Sequence, residues 1–280
     1  MRNQWLLLML CGGLFVQHAS AQFRVYSNEF LNIGAGARGL GMGSTSVATA
    51  SDAYAGYWNP AGLANVTNSP TVSAMHAEYF SGIGKYDFIS AAFPISGEKP
   101  RTLGISAIRF GVDDIPNTLF LVQPDGSLNY NNITTFSSAD YAFLLSYAQS
   151  VIDEDDRKLS FGGNAKIIYR KVGSFANAVG FGFDAGVMYR TGKWRLGAAA
   201  RDVTTTFNAW KFSFTDEEKQ ALYLTDNDIP VKSTELTAPR LVLGGAYDFE
   251  FTDNFHLLAE ANFDVTFDGK RNTVISAKPI

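Results

Sequence analysis

The chain has 280 residues, a single cysteine, 46% hydrophobic and 18% charged residues, and a net charge of −4, against roughly 25% charged residues in an ordinary soluble domain. This composition argues against a disordered or fibrous chain. With 22 Phe, 12 Tyr and 26 Gly it favours strands and turns, because helix interiors disfavour glycine and aromatic rings suit a pleated surface.

Residues 1–21 read as a secretory signal, with Arg2 as the charged start, residues 5–16 as the apolar core and Ala19-Ser20-Ala21 as the small-residue cleavage site. That core is too short for a spanning helix, which needs about 20 residues. Cys11 follows Leu10, which is too large for the small residue a lipoprotein signal places there. The mature chain would begin at Gln22 without cysteine, and loss of Arg2 leaves a net charge of −5. An exported anionic chain is a poor partner for nucleic acid. Stability without disulfides in an oxidising compartment points to a large closed fold.

Residues 22–69 are rich in Gly and Ala and show no sustained alternation, as expected for a plug or hatch inside a barrel. Gly34-Ala35-Gly36-Ala37-Arg38-Gly39 has the spacing of a dinucleotide fingerprint. The residues before it make a poor strand, Leu40-Gly41-Met42-Gly43 a poor helix, and Asp52 follows too soon. No cofactor is expected, and the glycines read as letting hatch backbone pack closely on a barrel wall.

From residue 70 to residue 280 the chain repeats one unit, a long run of period-two hydrophobicity closed by turn residues. Strands are predicted over residues 71–80, 86–95, 102–112, 139–150, 158–171, 178–191, 193–203, 239–252 and 254–267, with another starting near Asn272. These runs suit tilted membrane strands of about 9–11 residues better than sandwich strands of about 5–6. In the clearest, Leu159, Phe161, Gly163, Ala165, Ile167 and Tyr169 oppose Ser160, Gly162, Asn164, Lys166, Ile168 and Arg170. Connections at residues 96–101, 152–157, 192 and 253 are short, whereas 113–138 and 204–238 are long and share the other parity. An outer-membrane barrel with short periplasmic turns and long outer loops has that order.

Charges opposite the aromatic faces should line the lumen, since lipid does not tolerate them. They are Lys166, Arg170, Asp184, Arg190, Arg195, Arg201, Asp248, Glu250, Glu260 and Asp264. Their mixed signs favour ion pairs across the wall over an ion-selective channel. Residues 204–238 contain a capping-box pattern at Thr215 to Glu218, preceded by the alternation Trp210, Phe212, Phe214. That alternation reads either as a small strand packed on the barrel mouth or as a surface for a partner.

Neither catalysis nor a metal is expected. His76 with Glu78 and His256 with Glu260 are pairs and not triads, no Gly-x-Ser-x-Gly occurs, and Asp153-Glu154-Asp155-Asp156 reads as a solvated turn.

The stretch from Phe30 through the glycines Gly34, Gly36, Gly39, Gly41 and Gly43, then Ser51-Asp52-Ala53 and Trp58-Asn59-Pro60-Ala61-Gly62-Leu63, resembles the N-terminal region of the PorV/PorQ family. The resemblance is confined to about residues 30–64 and is architectural beyond them. It implies an all-β fold, a FadL-like transmembrane antiparallel β-barrel of about fourteen strands with an N-terminal hatch, in the bacterial cell outer membrane among its lipid. By that count the chain is either a fragment lacking about four strands or a smaller barrel, and the fragment is the favoured expectation. It also implies a role in type IX protein secretion, with translocon or exported cargo bound through the long loops. The alternative is a FadL-type transporter holding a hydrophobic ligand in the lumen. The small and charged lumen residues favour the first, because a transporter needs a continuous apolar pocket.

Overall fold

The computed structural model describes residues 27–67, 69–230, 233–252, 254–267 and 274–278; the signal reading falls outside them. The described strands form one antiparallel sheet. Its main path runs in chain order through β1 (Thr71–Tyr79), β2 (Gly84–Ile95), β3 (Arg101–Asn117), β4 (Thr134–Asp153), β5 (Arg157–Val172), β6 (Ala176–Thr191) and β7 (Trp194–Arg201). It continues through β10 (Arg240–Thr252), β11 (Phe255–Thr266) and β12 (Val274–Lys278), while β8 (Thr206–Phe212) and β9 (Ser233–Thr237) lie off it. The sheet is open, with β1 and β12 at its ends.

Period-two alternation becomes two unlike faces. On β5, Phe161, Ile167 and Tyr169 are exposed, whereas Ser160, Asn164, Lys166 and Ile168 are buried. The same split puts Ile89, Phe143, Leu145, Phe183 and Phe263 on the outer surface, an apolar band of the kind hydrocarbon contacts in an outer-membrane barrel. The antiparallel register carries the connections β2–β3, β4–β5 and β6–β7 to one rim. Residues 118–133, 202–230 and 233–239 fall at the other. Asp253 is outside the described residues.

Two departures from the sequence reading have physical causes. Residues 204–238 are not one loop, because β8 and β9 pair there and β8 continues along β6 where β7 stops. β7 covers residues 185–191 of β6 and β8 covers residues 176–181, so residues 201–206 bulge between them. The second departure is a charged patch on the outer face. His76, Glu78, Lys85, Asp87, Arg109 and Asp113 share that face of β1 to β3 and pair among themselves, with Arg109 Nη1 3.1 Å and His76 Nδ1 2.7 Å from Asp87. Register aligns Asp87 and Arg109 with Tyr141 and Tyr169, the level of an interfacial aromatic girdle where charge is tolerated.

Residues 27–66 pack on the inner face. They contain α1 (Ala37–Gly41), α2 (Ala55–Trp58) and a 3₁₀ turn, Pro60–Asn65, which begins at Asn59. Phe30, Tyr57, Trp58 and Leu63 form one buried cluster with wall residues Tyr86, Phe88, Ile108, Leu144 and Ile168. Tyr57 meets Trp58 and Phe88 edge-on at 5.0 and 5.8 Å, the geometry that aromatic quadrupoles favour.

Candidate functional site

The hatch is held by polar contacts that reach across the lumen. Asn59 is fully buried. Its side chain accepts from the Ala61 N–H, capping the 3₁₀ turn, and donates to Val47 O at 2.8 Å and to the wall carbonyl of Val187 at 3.1 Å. Pro60 follows at a position where its missing N–H leaves no bond unmade. Asn164 donates to Gly56 O at 2.7 Å, and Glu260 accepts from the Ala48 N–H at 2.9 Å and the Thr49 hydroxyl at 2.5 Å. Arg201 donates to Tyr57 O at 3.3 Å and lies 5.1 Å above the Tyr57 ring.

The hatch glycines do not do what their sequence suggests. A side chain at Gly34 would strike Leu40, at Gly36 the Tyr54 ring and at Gly39 the Trp58 indole, so these residues close the hatch on itself; one at Gly41 would meet open space. Gly34, Gly36 and Gly43 have positive φ, a region that glycine enters without strain. Gly62 abuts the Ala50 carbonyl, again within the hatch. Close approach to the wall depends instead on wall glycines. A Cβ at Gly162 would overlap the Pro60 carbonyl carbon and the Ala61 nitrogen, at Gly186 the Asn59 side-chain oxygen, and at Gly197 the Val47 carbonyl.

Of the lumen charges, Glu260 and Lys166 are buried, at 3% and 5% exposed, and Lys166 Nζ lies 2.7 Å from Asp184 and 2.6 Å from Asp202. Asp184 also accepts from the Asp202 N–H at 2.9 Å, so this buried trio holds the bulge that separates β7 from β8. Arg195 pairs with Asp248 at 3.2 Å, Arg240 with Asp264 at 3.3 Å, and Glu250 with Lys193 at 2.8 Å near the short-turn rim. Arg190 is exposed at that same end. Asp202, Asp140 and Glu235 were not anticipated; each completes a pair across strands whose register the sequence does not show.

At the long-loop rim an open cleft of about 990 Å³ lies between residues 116–136 and the β8–β9 segment. Trp210, Phe212 and Phe214 stand along one side, with centroids 6.3 and 6.5 Å apart and planes 18° and 3° from parallel. Phe175 extends the stack at 5.9 Å from Phe214, and Leu119, Leu121 and Val122 line the opposite loop. Arg170 braces the base of the stack. Its guanidinium is 5.1 Å from the Trp210 ring, grips Asp140 through two bonds of 2.8 and 3.1 Å, and reaches Glu235 at 3.1 Å. Glu235 accepts from the Ser27 hydroxyl at 3.0 Å, and Asn208 donates to Ser27 and to Asn28, so the first described hatch residues attach beneath this cleft.

Between the two strands of the mouth stands α3 (Asp216–Leu224). The Thr215 side chain accepts from the Glu218 N–H while Glu218 accepts from the Thr215 N–H, a complete capping box. Lys219 holds the Asp216 carboxyl below the ordinary carboxylate range.

Compared with known proteins, residues 18–154 match the model of the family described as type IX secretion system protein PorV. The match spans the hatch and the strands from β1 to the end of β4. No curated protein matches the chain.

Proposed function

We propose that this chain, whose residues 18–154 match the PorV family model of type IX secretion, is an outer-membrane barrel of that family that binds a segment of an exported or translocon protein in its mouth cleft. The observation that carries the proposal is the aromatic ladder Trp210, Phe212, Phe214 on the open side of a cleft built by both long loops. Parallel rings on and just beyond a paired strand present contact area whose ordering cost is already met, and such anchors dominate many protein interfaces. A transporter of hydrophobic molecules is the other reading of an apolar cleft. Against it, the lumen below is filled by the hatch, hydrogen-bonded to the wall from Asn59 to Glu260.

The test is the double variant Trp210→Ala, Phe212→Ala. Loss of an interface anchor costs about 2 kcal/mol or more, roughly 30-fold in affinity. Co-purification of translocon or cargo protein should be lost, with barrel assembly, read as heat-modifiable gel migration, unchanged. Retained partners with lowered melting temperature would assign the rings to packing of the rim. Loss of a bound lipid or detergent-sized molecule with partners retained would favour the transporter.

A further inference from the structure

We propose that the short-turn end of the barrel holds a binding site for an oxyanion of the phosphate class, centred on Arg190. The site is a row of cations set side by side by register. Asp153 on β4 lies opposite Lys158 on β5, Lys158 opposite Arg190 on β6, and Arg190 opposite Arg195 on β7. All point to the lumen. Like charges directly opposite each other on neighbouring strands destabilise a sheet, so three consecutive cations are a cost that something must offset.

The protein's own acids offset only the flanks of the row. Asp153 pairs with Lys158 at 3.4 Å and Asp248 with Arg195 at 3.2 Å. Glu260 is committed to the hatch through the Ala48 N–H and the Thr49 hydroxyl, and Glu154 in the adjoining turn to Arg157 at 2.7 Å. Asp155 and Asp156 stay on the outside of that turn, exposed to water. Among the described residues, the Arg190 side chain is left with neither an ion pair nor a hydrogen bond, though its backbone pairs within the sheet.

It opens onto a cavity of about 270 Å³ between wall and hatch, to which the hatch contributes Ser51 and Asn65. That volume suits a small ion or one headgroup and not a folded peptide. A planar guanidinium donates to two oxygens of a phosphate at once, and Lys158, 13% exposed and held between Asp153 at 3.4 Å and the Ala64 carbonyl at 3.3 Å, stands beside it as a second cation. Two sources offer this chemistry, free phosphate and a phospholipid headgroup entering from the inner leaflet.

The full chain, folded in detergent, is titrated with inorganic phosphate against chloride at matched ionic strength, and separately with short-chain phosphatidylglycerol. Saturable binding by phosphorus NMR is expected from at least one of the two probes, and which one binds identifies the source. Arg190→Gln should weaken it about tenfold or more, while Arg190→Lys, which keeps the charge, should retain most of it. Arg190→Glu places an acid between Lys158 and Arg195; it should melt higher than the natural chain in phosphate-free buffer and lose the response to either probe. Absence of binding by both probes, undiminished binding in the Gln variant, or a lower melting temperature in the Glu variant would each overturn the proposal.

Discussion

Gly162 and Gly163 are neighbours on β5 that face opposite ways, and replacing each by alanine gives a direct measurement of how tightly the hatch is seated. A methyl at Gly162 would overlap the backbone of Pro60 and Ala61. Backbone cannot swing aside as a side chain can, and here it is fixed on both sides by the Asn59 cap and by the Asn59 bond to Val187. Overpacking of this kind costs about 1–3 kcal/mol, and the rigidity of the obstacle puts Gly162→Ala at the upper end. A methyl at Gly163 points to the outer face of the sheet and would lie 3.3 Å from the Asp184 carbonyl oxygen, a contact relieved by a small shift, so about 0.5 kcal/mol or less is expected. At about 2–4 °C per kcal/mol for a chain near this size, the two variants should separate clearly in thermal unfolding followed by circular dichroism in detergent. Limited proteolysis supplies the second readout, with cleavage within residues 42–67 accelerated in Gly162→Ala alone. If both variants melt with the natural chain and the hatch stays equally protected, the wall glycines do not seat the hatch.

Other outcomes are expected. Lys166→Ala leaves Asp184 and Asp202 buried without their cation, and breaking a buried network in this way costs about 3–5 kcal/mol, to be read as loss of heat-resistant migration; Asp202→Asn, which keeps one acid for the lysine, should cost less. Arg170→Lys retains charge and loses the two-bond grip on Asp140 and the planar contact with Trp210, so tryptophan fluorescence should shift to the red while the barrel still assembles. Thr215→Ala removes one half of the capping box, worth about 1 kcal/mol; hydrogen exchange should quicken in Asp216–Leu224 with global melting unchanged.

Most of the wall could be read from the chain because its signal is repeated and long. Leu159 to Arg170 alternates without interruption, and a one-residue error would turn every side chain to the wrong face. A small strand at the mouth was legible around Trp210 and Phe212, but its pairing with β6 and the strand β9 beside it escaped, because both are short and the bulge between β7 and β8 interrupts the period. The role of the glycine run was misplaced for a different reason. Which glycine meets backbone depends on what is folded against it, and Gly162 or Gly197 is indistinguishable in the chain from any small residue on a lumen face. Asp140 and Glu235 could not be assigned to Arg170, since their distances of 30 and 65 residues along the chain become adjacency only through the register of separate strands. The Trp210 ladder was visible as a pattern, and the structure puts Trp210 and Phe212 on the paired strand β8 with Phe214 just beyond it, all three bordering an open cleft.

The bulge held by Lys166 divides the barrel into two storeys with different freedoms. β6 runs through both, so the upper storey stands on a strand that the lower one already fixes. Residues 206–237 therefore form a cassette whose ends, at the bulge and at β10, are set by the lower wall. A chain with another sequence in that cassette would keep its apolar band, its hatch and its turns, provided Asn208, Glu235 and Thr237 remained to hold Ser27 and Asn28. On the proposed function, the binding surface at the mouth can thus diversify at the pace of a surface loop while the wall beneath it stays constant.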